Sequence, residues 1–257
     1  MRNRLIILLL LSVLVAVIVT ARSILPRQSQ SNVVATKQGS FDESQLPVTD
    51  YQAPEPSEPK ERVKRRAKGA RYDKADFVHE PPPPRSGVVH EVTIINDWEV
   101  GLPAIPADGS DAVVIGDVSD AQAYLSNDKT GVYSEFSIRI EEVLKNDEQS
   151  SLEIGCLITG EREGGRVRFA SNRVLPVHVQ GQGMPRLGRR YVFFLRRLDQ
   201  EKDFYILTAY ELRAGSVSPL DGVKNSGGSK WKFDAYEGVD QATFLNIVRG
   251  VITTLPR

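Results

Sequence analysis

The sequence predicts a mainly β fold: a β-barrel or sandwich over residues 87–257 carrying a C-terminal amphipathic helix, preceded by a transmembrane helix and a disordered linker. Three observations predict it. Short apolar-alternating segments separated by Gly, Asp and Asn turns fill the C-terminal two thirds. Three-four apolar spacing occurs only at 239–252. An unbroken apolar run near the start gives way to proline- and charge-rich sequence.

The apolar run, Leu5 to Ala21, follows the basic start Met-Arg-Asn-Arg. Its 17 residues sit at the short end of the roughly 17–25 that span a bilayer, and just beyond the roughly 7–15 of a secretory h-region. Two fates fit residues 1–21: an uncleaved signal anchor or a signal cut after Ala21, where Val19-Thr20-Ala21 offers small or tolerated side chains. The anchor is favoured because no Gly or Pro interrupts the run. Arg2 and Arg4 keep the N-terminus cytoplasmic, so the body of the chain is expected outside, in the periplasm or extracellular space.

Residues 22–86 read as a disordered Pro/charged linker. Gln52 to Lys60 and Pro81 to Pro84 lack the amide donors that a ladder or helix needs. The composition buries too little apolar surface to offset ordering entropy. Inside it lies a basic cluster, Lys60 to Arg71, which reads either as solvated linker, the favoured sense, or as contact with an anionic surface.

Residues 87–257 suffice for one domain with a core. They hold 19 Lys+Arg against 24 Asp+Glu, a net of −5, whereas residues 1–86 carry +5. Ala112 to Val118 is an apolar run. Phe136, Ile138 and Ile140 alternate with Ser137, Arg139 and Glu141, the period of a half-buried strand. Leu152 to Ile158 reads as a buried strand with Cys156 in its middle. Arg166 to Phe169 and Val174 to Val179 are weaker, and Gly164-Gly165 reads as a hairpin. Arg190 to Arg196 is a strong central strand expected to pair with Phe204 to Tyr210, and Leu212 to Val217 makes one more. In the helix 239–252, Phe244, Ile247, Val248, Val251 and Ile252 form the apolar stripe and Asp240 the N-cap.

Asp111 to Val118, then Tyr133 to Lys145, then Glu163 to Arg166, then Leu187 to Leu195 follow in an order that resembles bacterial extracytoplasmic domains of TIMP/netrin-like architecture. The resemblance spans Asp111 to Val217 and implies an OB-type β-barrel with helices packed on it. Metalloproteinase inhibitors of that architecture chelate their target's zinc through an N-terminal cysteine and carry disulfides. Here Cys156 stands alone, so that mechanism does not carry over.

Catalytic signatures are scarce. The three histidines, His79, His90 and His178, have no metal-ligand spacing, and no Gly-x-Ser-x-Gly, Walker or Gly-x-Gly-x-x-Gly pattern occurs. Glu135, Glu141 and Glu142 are a weak carboxylate set. Nine arginines lie between 162 and 197. Among them Arg166, Arg168, Arg189 and Arg190 are candidates for an anionic-ligand or partner face, since guanidinium suits carboxylate and phosphate. Trp231, Phe233 and Tyr236 are candidates for an aromatic contact patch, or equally a lid on the core. No catalytic residue, cofactor or metal is expected. The expected function is a non-enzymatic, membrane-tethered extracytoplasmic binding module of the cell envelope, with an envelope protein or glycan as partner and no nucleic acid. The alternatives are an envelope hydrolase using carboxylate or serine chemistry, and a structural subunit of an envelope complex.

Overall fold

Two long strands, β3 (Ala112–Leu125) and β4 (Val132–Asn146), form the central antiparallel hairpin in a computed structural model of the chain. It describes residues 46–73, 78–83, 90–95, 98–147, 152–198, 203–222 and 232–255. The alternation anticipated in β4 is present: Phe136, Ile138 and Ile140 are buried while Arg139 and Glu141 face solvent. The hairpin turns at Ser126–Gly131. There the Asp128 carboxylate accepts from Ser126 Oγ (2.7 Å), Thr130 N (3.0 Å) and Thr130 Oγ1 (2.7 Å). Desolvation opposes these bonds, but together they outweigh it and hold the Asp128 carboxyl down to about 2.

The remaining strands in chain order are β1 (Val48–Asp50), β2 (Val92–Ile94), β5 (Leu157–Glu163), β6 (Gly165–Arg168), β7 (Val174–Val179), β8 (Arg190–Arg197), β9 (Asp203–Arg213) and β10 (Ser216–Pro219). β3 pairs with β4 and β8, β4 with β5, β5 with β9 in parallel, and β9 with β8, so five strands close into a ring. β10 pairs with β9, and β1-β6-β7-β2 make a second sheet. The β8–β9 pairing anticipated from sequence is in place.

Val114, Val118, Phe136, Ile138, Ile158, Phe193, Phe204 and Ile206 fill the ring. A Cβ on Gly160 would lie 2.8 Å from Ile206 Cδ1 and 2.9 Å from Ile138 Cδ1, so the interior has no room for one more methyl. A second core on the ring's outer side packs Val113, Ile115, Phe194 and Tyr210 against helix α2 (Gln241–Thr253). Asp240 caps α2, accepting from Thr243 N at 2.9 Å. Phe244, Leu245 and Val248 are its buried residues; Ile247, placed in the stripe from sequence, is 37% exposed. The second sheet packs Val167, Leu175 and Val177 against Ala123 and Val132 at the hairpin's far end.

Several expectations need correction. The linker assigned to 22–86 is folded over 46–73: β1 pairs in parallel with β6, and helix α1 runs Pro59–Gly69. Pro59 stands in the first turn, where an amide donor has no intrahelical partner to lose. The other prolines of 52–58 precede the helix rather than interrupt it. The anchor or signal at 1–21, and the linker's 22–45, 74–77 and 84–86, lie outside the described residues. Among the described residues no helix is long and apolar enough to cross a membrane.

Cys156 is not mid-strand. Gly155, at φ 85°, turns the chain just before β5 begins, leaving Cys156 half-buried and Ile154 73% exposed. Gly164-Gly165 is a corner rather than a hairpin, because β5 belongs to the ring and β6 to the second sheet. Both glycines take positive φ (112° and 145°), and a Cβ on Gly164 would sit 2.9 Å from Val177 O. Leu212 to Val217 is split by a turn at Ala214-Gly215 between β9 and β10.

One buried polar knot ties ring to loops. Arg162 on β5 is fully buried, and its five donors all find acceptors: Ile206 O (3.2 Å), Gly183 O, Leu207 O (3.1 Å), and Asp221 Oδ1 (2.6 Å) and Oδ2 (2.8 Å). Asp221 Oδ1 also accepts from Gly183 N at 2.8 Å. Removing one partner leaves an uncompensated buried charge, which costs about 3–5 kcal/mol. Asp221→Asn is therefore expected to lower unfolding free energy in urea by roughly that amount. Arg190→Ala, which breaks the half-exposed pair with Glu141, is expected to cost under about 1 kcal/mol.

Candidate functional site

The densest gathering of ionisable groups lies where α1 meets the ring's outer face. Glu135 on β4 and Glu161 on β5 are register partners, and Asp203 opens the neighbouring β9. Carboxylates so crowded and so buried repel one another unless cations enter. α1 supplies them. Lys68, 1% exposed, places Nζ 2.9 Å from Glu135 Oε1, 3.0 Å from Glu161 Oε1 and 2.9 Å from Asp203 Oδ2. One turn earlier Arg65 Nη1 donates to Glu135 Oε1 at 2.8 Å and to Tyr133 Oη at 3.2 Å. Beyond the helix end, Arg71 Nη2 binds Glu161 at 2.8 and 3.0 Å.

Tyr72 then stacks on Tyr133 with ring centroids 4.4 Å apart and donates to Glu161 Oε2 at 3.3 Å. The approach is close enough to exclude side chains. A Cβ on Gly131 would lie 2.1 Å from Tyr72 O, and one on Gly69 would lie 2.6 Å from Asn127 Oδ1.

Burial disfavours the charge on Lys68, but Glu135 and Glu161 outweigh it and raise the ammonium's pKa. Burial, opposed by Arg65, pushes the Tyr133 phenol up to about 12. A raised lysine pKa stabilises fully below the unfolded value near 10.4 and is lost as pH rises through the folded value. The Lys68 ammonium therefore keeps its charge across neutral pH, and its own contribution is lost in strong alkali.

The adjoining face of α1 is also basic. With the β1–α1 segment and the β3–β4 turn it walls a cleft of ≈ 330 Å³ lined by Pro54, Glu55, Arg62, Arg65, Arg66, Tyr124, Asn127 and Lys129. The Arg65 guanidinium lies over the Tyr124 ring, 3.4 Å from its centroid. Glu55 is the acidic side chain in this lining: Arg66 Nη2 lies 2.9 and 3.0 Å from its two oxygens and Arg62 Nε 3.6 Å from Oε2. Arg66 and Glu55 stay about 60% exposed (62% and 58%). Ala53 and Pro54 also line a second hollow of ≈ 410 Å³ containing Asp50, Arg168, Phe169 and Asn172.

The arginines singled out from sequence do not converge. Arg166 and Arg168 share β6 in the second sheet, while Arg190 opens β8 in the ring and Arg189 precedes it. Arg166 Nε donates to Leu46 O at 2.9 Å, and Arg168 faces Asp50 at 3.6 Å. Arg189 lies 3.8 Å from Glu211, and Arg190 pairs with Glu141. Of the four, Arg168 alone lines a described cleft. Glu141 and Glu142 point to different arginines, Arg190 and Arg249, away from Glu135. Phe233 is fully buried, stacked 5.8 Å from Trp98, and Tyr236 packs on Tyr210 and Phe244. These two act as a lid on the core, and Trp231 lies outside the described residues.

Arg62, Arg65 and Arg66 belong to the Lys60–Arg71 cluster, for which contact with an anionic surface was the less favoured expectation, and Tyr124 and Lys129 were not anticipated beside them. The available signal was helical spacing inside the basic cluster: Arg65, Lys68 and Tyr72 fall on one side, Arg62 and Arg66 on another. No family model matches the chain, and none of the curated proteins is significantly similar to it.

Lys68→Met removes the cation shared by three carboxylates. Unfolding in urea is expected to show a loss of about 3–5 kcal/mol. A loss below ~1 kcal/mol would show that the seat is solvated.

Proposed function

We propose that the chain is a non-enzymatic binding module of the cell envelope, tethered to the membrane by residues 1–21, that holds an anionic partner in the cleft beside α1. Cleavage after Ala21 would make it a free extracytoplasmic module with the same cleft. The observation that carries the reading is the unequal neutralisation of the two faces of α1. On the inner face Lys68, Arg65 and Arg71 meet Glu135, Glu161 and Asp203. On the outer face Arg62, Arg66 and Lys129 share a walled cleft with Glu55. Cationic walls of low polarisability raise the local concentration of anions.

The five-stranded ring supports an OB-like assignment, in keeping with the TIMP/netrin-like resemblance. In OB barrels the loop after the first strand contributes to ligand binding. Here the loop between the first two ring strands supplies Ser126, Asn127 and Lys129 to the cleft wall. Residues 46–257 hold 28 Lys+Arg against 31 Asp+Glu, and this slight net acidity disfavours general nucleic-acid binding.

The full-length chain is expected to bind at least one of poly-L-glutamate, alginate and polyphosphate saturably, with affinity that falls as salt rises. Combining Arg62→Ala, Arg66→Ala and Lys129→Ala is expected to weaken that binding about 10- to 100-fold, from roughly 0.5–1 kcal/mol per exposed contact. Absence of binding to all three polymers at low salt contradicts the reading.

A further inference from the structure

Resting on that reading, we infer that the anionic partner is a bilayer surface. The exposed face of α1 lies on the headgroups of the membrane to which the chain is tethered, with lipid phosphates meeting Arg62, Arg66 and Lys129. The inner side of α1 is occupied by buried Lys68 and Gly69 and by Arg65 on Glu135. Its solvent side is not uniformly polar. Val63, 70% exposed, is followed by exposed Ala67 and then Ala70 at the helix end, an apolar strip along the outer ridge. Cations border the strip on both sides: Arg62 and Arg66 toward the cleft, Lys60 and Lys64 beyond it. The acids of residues 58–70 are Glu58 and Glu61, and Glu61 lies 3.3 Å from Arg65.

An apolar strip between two rows of cations is the pattern of a helix lying at a membrane interface. Basic side chains reach phosphates there while the strip meets the acyl boundary. A soluble polyanion accounts for the cations but leaves Val63, Ala67 and Ala70 without a role. Valine and alanine bury too little to hold a bilayer alone, so the contact depends on anionic lipid. The pairs of Arg62 and Arg66 with Glu55 are 40–62% exposed, so a headgroup phosphate can displace the carboxylate without moving α1.

The layout of the chain keeps the surface within reach. Residues 22–45 separate the apolar run from Leu46, which is buried in the ring core with its carbonyl accepting from Arg166 Nε at 2.9 Å. A segment of that length, 45 − 21 = 24 residues, spans at most ~85 Å. With residues 1–21 in the bilayer, the domain meets it at a local concentration on the order of millimolar. Individually weak contacts then suffice, since each Lys or Arg near an anionic surface shifts the docked-to-free ratio about fivefold.

The test places a nitroxide at Val63→Cys in a Cys156→Ser background. The full chain is reconstituted into bilayers of phosphatidylcholine with phosphatidylglycerol, or of phosphatidylcholine alone. In the anionic bilayer the label is expected to lose collisions with a water-soluble nickel chelate and gain them with oxygen, and to regain the chelate as salt rises. Combining Arg62→Ala, Arg66→Ala and Lys129→Ala is expected to lower the docked-to-free ratio about 100-fold. A label at Asn246→Cys, exposed on α2, and the substitution Arg249→Ala are controls that leave accessibility and docking unchanged.

Equal exposure of position 63 in the two bilayers overturns membrane docking. If the chain still binds one of the soluble polymers, the binding reading of the cleft survives that result. Docking that persists in the triple variant overturns the assignment to Arg62, Arg66 and Lys129. Neither docking nor polymer binding removes both.

Discussion

One ammonium group among three carboxylates fixes the arrangement on which the rest depends. Lys68 reaches Glu135, Glu161 and Asp203 within 3.0 Å at almost zero exposure. Those acids come from three neighbouring strands, so the contact is possible only when β4, β5 and β9 are already side by side. The ring therefore creates the seat, and the seat orders the helix. Buried ion pairs of this kind add little over an apolar replacement but are costly to break. Their effect is on position: α1 has Lys68 and Gly69 as its buried residues, so ionic contacts rather than apolar area set its rotation and height on the ring.

Position then determines what is left outside. With Lys68, Arg65 and Arg71 directed inward, Arg62 and Arg66 must face the β1–α1 segment, one helical turn apart on the adjoining side. The close contact of Gly69 with Asn127 brings the β3–β4 turn, and with it Lys129, to the same wall. The Asp128 carboxylate, held by Ser126 and Thr130, keeps that turn in the shape that lets Lys129 take φ 59°. The cleft is a by-product of the same contacts that neutralise the buried acids.

Much of the ring was legible from sequence because its signals are local. The alternation through Phe136, Ile138 and Ile140, the apolar run of Arg190 to Arg196 and the Asp240 cap each depend on neighbours within a few residues. The folded state of 46–73 was not legible. Its composition matches that of a solvated spacer, and the carboxylates that order its helix lie 67 (Lys68 to Glu135) to 135 (Lys68 to Asp203, 203 − 68) positions away in the chain. A charge-rich segment looks disordered until its counter-charges are gathered by a sheet. The arginines of 162–197 misled for the converse reason. Their density along the chain says nothing of which sheet each strand joins, and β6 and β8 join different ones. Arg162 entered the core and Arg190 found Glu141, so the run never became a single face. Cys156 was misplaced because the apolar residues around it suggested a strand, while Gly155 makes a turn there.

The most direct test of this account is amide hydrogen exchange across residues 59–72 of the full chain. An ionically seated helix predicts protection of these amides comparable to that of β4, retained at neutral pH and lost in Lys68→Met. Exchange at the rate of an unstructured chain over the same residues would contradict it and return the basic segment to a spacer.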